Sequence, residues 1–517
     1  MLALAAVAVI VGVALRFLTK SDLWLDEALT VNIAKLPFSD LHEALRHDGA
    51  PPAYYVLLHG WMSIFGSGDL AVRALSGVLS VIALPVAWFA GRRLGNPEPP
   101  GPVGTDSPRR VLLGALAVLV LVSSPFAIRY ATEARPYSLV MLLVTAGYVV
   151  LRRALERPTL GRLAPVAVVA GLLLYTHYWS LYLLAALFGF VAWRAWRDPD
   201  VAGRHAYRAT AVALVVGSLS FLPWVPTFLY QSAHTATPWG DGQVPLSSIR
   251  QTFDQFANGA SLTHAVSNAI ELFTLLLIVL ALFGRAVGPR NIDLDVRTRP
   301  EVRWEALVAF VALALGLTAG WITNGAYDAR YASVVFPLVA LITAYGFAVI
   351  GSRTLMLAFV GVFVAVGLLG SVVNAFDNRT QAGEIADVIR AEARPGDVVA
   401  YCPDQLGPSV SRLLEGRPGL QQLTFPAGKA PALVDWVDYN DRIDATSPAK
   451  FAQRVLDRAG PDHAVWYVFS PSYFGVEGKC EDVATALSSA RPGARTLVVQ
   501  QPEVFFENGN LLEFPRR

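Results

Sequence analysis

Runs of about 16 to 22 mainly apolar residues recur along this chain, and each is long enough for one tilted helix across a bilayer. Hydrocarbon offers no water to the backbone N–H and C=O groups, so runs of this kind restrict the chain to a bundle of helices. About eleven are counted, with ends uncertain by several residues. The first covers Met1 to about Leu18, and the others begin near Ala71, Val111, Tyr137, Leu163, Trp179, Thr210, Ala265, Trp304, Tyr331 and Leu355. Of 517 residues 54% are hydrophobic and 16% charged, which excludes an ordinary soluble enzyme of this length. The first run has no basic leader and no small-residue cleavage site, and reads as a retained helix. The fold class expected is a polytopic α-helical membrane protein.

The loops between the runs alternate in character. Those holding Arg92, Arg93, Arg109 and Arg110, then Arg152, Arg153, Arg157 and Arg162, then Arg194, Arg197, Arg204 and Arg208, then Arg285, Arg290, Arg297 and Arg303 fall on one side, which the positive-inside rule makes the cytoplasm. The opposite loops carry acids, histidines and aromatics. An odd number of crossings from a cytoplasmic start takes everything beyond about Asn374 to the outer side as well. The net charge of +2 and the scattered arginines give no nucleic-acid footprint.

Two domains are expected, a membrane region over 1–374 with an external loop over 19–70, and a soluble α/β domain over 375–517. In the second, helix-like 384–393, 406–414, 448–458 and 482–489 alternate with strand-like 398–402, 464–469 and 495–500. The two cysteines, Cys402 and Cys480, both lie there, at the end of a strand and the start of a helix, and a single disulfide is the expectation outside the cytoplasm. In the loop near 231–264, Ile249, Phe253 and Phe256 recur at helical spacing, as in an amphipathic helix lying on a membrane.

The first external loop carries most of the chemistry. Asp26-Glu27 follows the first apolar run, His47-Asp48 precedes Pro51-Pro52 and the tyrosines Tyr54 and Tyr55, and Arg73 opens the next run. Ser39 or Asp40 is placed to cap a short helix, with Glu43 returning to the cap. In order and spacing this loop resembles that of the GT-C superfamily, membrane glycosyltransferases whose donor sugar rides on a polyprenyl phosphate, above all the protein O-mannosyltransferases and lipid A aminoarabinose transferases. The resemblance covers the membrane region and implies an inverting transfer. One carboxylate takes the proton of the acceptor hydroxyl while the oxygen attacks the anomeric carbon opposite the leaving phosphate. Asp26 matches the acid with that role in the resembled families, Glu27 binds acceptor or neighbouring side chains, and Asp48 is the rival base. Arg135, in Glu-Ala-Arg-Pro-Tyr, and Arg330, in Asp-Ala-Arg-Tyr, resemble the family's carrier-phosphate arginines, and a planar guanidinium suits the charge gathering on a leaving phosphate. His47, Asp48, Tyr54, Tyr137, His177 and Tyr331 complete the substrate-binding set; Tyr54, Tyr55, Trp61 and Trp239 suit sugar stacking.

Each residue has a structural alternative. Asp26 and Glu27 can serve as acids at a helix N-terminus, the arginines can snorkel to water or pair with Glu133 and Asp328, and the aromatics can form an interfacial belt. The chemistry implies no cofactor and no metal, since no Asp-x-Asp-type site for a nucleotide sugar is visible. The expected partners are the lipid-linked donor, a glycan, lipid or protein acceptor, and the bilayer. The Ala/Arg/Gly/Val-rich composition fits a high-GC bacterium, whose cytoplasmic membrane would offer carriers of mannose or arabinose. A flippase of lipid-linked sugars and a non-catalytic receptor remain the rival classes.

Overall fold

The computed structural model describes residues 2–95, 107–235, 240, 244–258, 264–289, 291–417, 419–471 and 473–517. Trp239, one of the aromatics suited to sugar stacking, lies outside them. The chain is predominantly helical and divides into two compact units that are each discontinuous in sequence. One comprises 1–19, 73–225 and 242–376, the other 20–72, 226–241 and 377–517.

In the first unit every apolar run is helical, yet fewer than eleven meet the demands of a membrane span. Among the described residues six helices are long and apolar enough, and a seventh is reached if Pro108–Val122 and Pro125–Ala131, bent by 58°, form one span. Helix Phe336–Ala348 shows why the count drops. Its 13 residues rise only about 20 Å. Nearly all of its side chains are buried in protein, so its apolarity serves the helical core rather than lipid. A Cβ added at Gly346 would lie 2.1 Å from the Leu277 carbonyl oxygen, which shows how closely its backbone approaches helix His264–Phe283. The amphipathic helix is present as Pro245–Asn258, with one of its three spaced apolar residues, Phe256, buried against protein. Phe256 packs against Phe126 and Phe336 at centroid distances of 4.8 and 5.1 Å. A small antiparallel hairpin, β1 (Gly284–Ala286) with β2 (Ile292–Leu294), interrupts the helices.

In the second unit the first loop forms three helices, Leu25–Ala34, Phe38–Asp48 and Ala53–Phe65. The capping box expected from Ser39 or Asp40 with Glu43 is not formed: Pro37 stands at the N-cap, and the Ser39 hydroxyl donates to Asp40 instead. The helix ends on Gly49 at φ +83°, where a Cβ would also meet the Thr235 Oγ1 at 2.6 Å. Gln231 donates to the Leu45 carbonyl (2.7 Å), and the Arg46 guanidinium lies 3.8 Å from the Tyr230 ring centroid, so helix Val225–His234 is fastened here to this helix.

The α/β part is built on a five-stranded mixed sheet. With β3 (Asn378–Thr380), β4 (Val398–Cys402), β5 (Gln421–Thr424), β6 (Val465–Phe469), β7 (Arg495–Val498), β8 (Phe505–Glu507) and β9 (Asn510–Phe514), the order is β5-β4-β6-β9-β7. The pairs β4–β5 and β4–β6 are parallel, while β6–β9 and β7–β9 are antiparallel. Val399, Tyr401, Trp466 and Val468 pack on one face against helices Ala382–Glu392 and Gly407–Leu413. The intervening Val398, Ala400, Cys402, Val465 and Tyr467 are buried too, so these central strands are covered on both faces and read as continuous apolar runs. Cys402 and Cys480 form a disulfide with Cα atoms 5.5 Å apart. A separate parallel ladder pairs β3 with β8 and sets Thr380 beside Glu507.

Asp404, buried in this unit, accepts the Tyr439 hydroxyl at 2.5 Å, and burial pushes its carboxyl up to about 7. The folded state therefore holds a proton that an unfolded aspartate has lost, and stability falls as pH rises from about 4 to about 7. Thermal melts at pH 5 and pH 8 should show the lower stability at pH 8, with a smaller difference in Asp404→Asn. Replacing both cysteines by serine should lower the melting temperature at every pH, because the bond closes a loop with a separation of 78 residues. Chain entropy sets the ceiling of that effect at about 4 kcal/mol. An unchanged melting temperature would show that the bond contributes nothing.

Candidate functional site

The residues singled out in the sequence fall into two groups, one in each unit. Asp26, Glu27, His47, Asp48 and Tyr54 belong to the unit that holds the α/β part, whereas Arg135, Tyr137, His177, Arg330 and Tyr331 belong to the helical one.

Helix Leu25–Ala34 carries Asp26 and Glu27 in its first turn, and its N-cap is Trp24, which makes no side-chain cap. The cap acceptor comes from elsewhere. The Leu25 N–H donates to the Glu507 Oε2 at 2.6 Å. The two acids then differ sharply in surroundings. Glu27 is fully buried, with its Oε2 3.9 Å from the Nη1 of the equally buried Arg379. Asp26 keeps partial exposure. Of the pair, Asp26 is the one accessible to a substrate hydroxyl, and Glu27 is committed to an internal ion pair.

His47 lies between carboxylates, its Nδ1 2.7 Å from Asp435 and its Nε2 3.2 Å from Glu43. Burial raises the Asp435 carboxyl, but the hydrogen bond from His47 and the charge of Arg442 outweigh it and leave the group below its ordinary value. Asp48 accepts the Tyr55 hydroxyl at 2.6 Å. Tyr54 and Tyr55 are buried, which leaves no ring face open for a sugar to stack on. Their expected stacking role gives way to packing. Trp61 is likewise engaged, donating from Nε1 to the Ala71 carbonyl at 2.8 Å with its ring 4.1 Å from that of Phe65.

In the helical unit, loops far apart in sequence converge on His177, at the turn between helices Leu160–Thr176 and Ser180–Arg197. Its ring lies 5.7 Å from Tyr137 and 5.8 Å from Tyr331, and its Nδ1 accepts the Trp179 N–H at 3.2 Å. Burial first, then the charges of Arg135 and Arg330, push the imidazole down to about 3, so it is neutral at ordinary pH. Both guanidinium groups therefore act on one small region. Asp328 orients Arg330, accepting its backbone N–H at 2.9 Å while its Oδ1 lies 3.6 Å from the Arg330 Nε. The Arg135 carbonyl accepts the Ser76 hydroxyl at 3.2 Å. Two fixed cations, a neutral imidazole and aromatic rings form a site suited to an anionic group carrying a polar, ring-shaped substituent. Among the described residues, no group of three or more His, Cys, Asp or Glu side chains is placed to hold a metal ion.

No protein-family model and no curated protein matches the chain. Solved structures do. ArnT from Cupriavidus metallidurans in the apo state superposes with TM-score 0.59 and 13% identity, over 99% of this chain and 97% of that one. The same protein bound to undecaprenyl phosphate gives 0.55 and 13%, over 99% and 98%. The chain has the GT-C fold. That likeness extends over the C-terminal part as well as the helices, which the loop motifs by themselves do not reach. The oligosaccharyltransferase of Archaeoglobus fulgidus is more distant, with TM-score 0.48 and 11% identity over 98% of this chain and 73% of that one.

Sequence reasoning missed Arg379, Asp435 and Glu507, which stand in the C-terminal part of the chain without any local motif, and Trp179, which reads as one aromatic among many. Removing one partner of the buried Glu27–Arg379 pair leaves the other charge out of water. Arg379→Ala should therefore destabilise by about 3–5 kcal/mol, and the double variant Glu27→Gln/Arg379→Gln by less than Arg379→Ala. A double-mutant cycle followed by thermal denaturation checks this, and additive effects would show that the two charges do not interact.

Proposed function

We propose that this chain is an inverting glycosyltransferase that takes a sugar from a polyprenyl-phosphate carrier and passes it to a glycan, lipid or protein acceptor at the outer face of a bacterial cytoplasmic membrane. The observation that carries the reading is the convergence of Arg135 and Arg330 on His177, beside Tyr137 and Tyr331, within the GT-C fold. The binding of undecaprenyl phosphate by the structurally similar ArnT supports it.

In this mechanism Asp26 accepts the proton of the acceptor hydroxyl as its oxygen forms a bond to the anomeric carbon. The bond from that carbon to the carrier phosphate oxygen breaks on the opposite face, inverting the centre. The phosphodiester leaves as a phosphomonoester, and Arg135 and Arg330 meet its added charge with paired N–H donors. Neutral His177 adds a hydrogen-bonding group without adding charge, and Tyr137 and Tyr331 border the sugar. Glu27, through Arg379, steadies the turn that bears Asp26. His47 and Asp48 stand as acceptor-binding groups, with Asp48 the second choice of base. Mannose and arabinose are the sugars favoured by the high-GC composition, and the four arginine-rich loops support the proposed sidedness.

Purified protein incubated with polyprenyl-phosphate [14C]mannose or [14C]arabinose and a membrane extract should yield a labelled product. Asp26→Asn should lower turnover by about two to four orders of magnitude with expression unchanged. If it retains wild-type turnover while Asp48→Asn does not, the base is Asp48. Lysine at 135 or 330 should raise the donor KM, because an ammonium cannot reproduce a bidentate fork on phosphate; unchanged donor KM and rate in both would return these arginines to interfacial roles. Vesicle experiments in which labelled donor crosses the membrane without forming product would favour the flippase.

A further inference from the structure

Glu507 stands out because its buried carboxyl group is bound entirely by donors. Besides the Leu25 N–H at Oε2, the hydroxyls of Thr380 and Ser409 both donate to Oε1 at 2.6 Å. Its main chain is fixed as well, since β3–β8 pairing sets it beside Thr380 and its carbonyl accepts the Gln381 N–H at 2.8 Å. A burial of this kind is tolerated only when the charge is met by hydrogen bonds, and here three donors meet it. One of the three is the amide that opens helix Leu25–Ala34, immediately before Asp26. The carboxylate thus also sits at the positive end of that helix.

Asp26 and Tyr473 interact electrostatically with Glu507, and the Glu27–Arg379 pair lies on the flanking positions of the helix and of β3. Burial, partly offset by the bonds from Ser409, Thr380 and Leu25 and reinforced by Asp26, pushes its carboxyl up to about 7.

We infer that Glu507 is a positioning residue for Asp26: its ionised carboxylate holds the first turn of helix Leu25–Ala34 in the orientation from which Asp26 accepts a proton. This rests on Asp26 being the base. It gives strand β8 a role in the transfer itself. Protonation of Glu507 turns one of its acceptor oxygens into a hydroxyl, so kcat should fall as pH drops through about 7.

The test uses the full chain in detergent or vesicles. With the labelled mannose and arabinose donors named above, Glu507→Gln should lower kcat roughly tenfold to a hundredfold, with donor KM little changed. The fall of kcat near pH 7 should disappear from its profile. Ser409→Ala removes a bond that favours the ionised form, so in that variant the fall should move to higher pH. It also serves if Glu507→Gln does not fold. Hydrogen exchange gives a reading independent of any donor, and the amides at the start of helix Leu25–Ala34 should exchange faster in either variant at pH 7. Wild-type kcat with an unmoved profile in the folded variants, alongside an inactive Asp26→Asn, overturns the positioning role alone. Unchanged exchange at those amides overturns it too. An active Asp26→Asn overturns the assignment of the base, and the positioning role with it.

Discussion

Glu27 and Arg379 are two charges withdrawn from water, and much of the second unit is arranged so that this is tolerable. A buried ion without its counter-ion costs several kcal/mol, so the turn after the first apolar run and the chain just beyond the last one are bound to meet. Around that pair the same two stretches are tied by uncharged contacts. The Arg379 N–H donates to the Ser21 hydroxyl at 2.9 Å, and Glu507 receives both the Leu25 amide and the Thr380 hydroxyl. Further along the loop, Asn32 donates to the Ala432 carbonyl at 2.8 Å, and Arg412 reaches Asp69 at 2.9 Å. A loop of some fifty residues is too short to bury a core of its own. It becomes ordered by sharing that of the α/β part.

The helical unit solves a different problem. Its helices are apolar on most sides, so polar groups gather where helices end and turn. Arg135, His177 and Arg330 are all at such ends, at the starts of Tyr137–Glu156, Ser180–Arg197 and Phe336–Ala348. Low local polarity strengthens each charge there. A phosphate entering this region would meet two cations whose repulsion it relieves, and the imidazole near them is kept neutral first by burial and then by the same two charges.

The elements legible in the sequence were those whose signal is local. Strand β4 was expected at 398–402 and is found there, since a strand covered on both faces reads as an unbroken apolar run. A helix was expected over 448–458 and is found as Pro448–Ala459, where the Ser447 side chain accepts the Lys450 N–H at its start. Where the signal was ambiguous, the reading failed for identifiable reasons. The helix expected from Tyr331 begins at Phe336, because Ala329–Val334 forms a tighter 3-10 turn and Pro337 suits the first turn of the α-helix that follows. Strands β5 and β9 were missed because each is only partly buried and carries no unbroken apolar run, taking its place from its neighbours.

Hydropathy, charge bias and composition by themselves settled that this chain is a helical membrane protein with a hydrophilic α/β region at its C-terminus, because those properties depend on residues adjacent in sequence. The convergence of Arg135 and Arg330 on one histidine, the commitment of Glu27 to an ion pair while Asp26 stays accessible, and the capping of that helix by Glu507 were decided only by the tertiary structure. Each joins side chains tens to hundreds of residues apart. No local pattern encodes such a pairing, since burial and partner are fixed only when the intervening chain has packed.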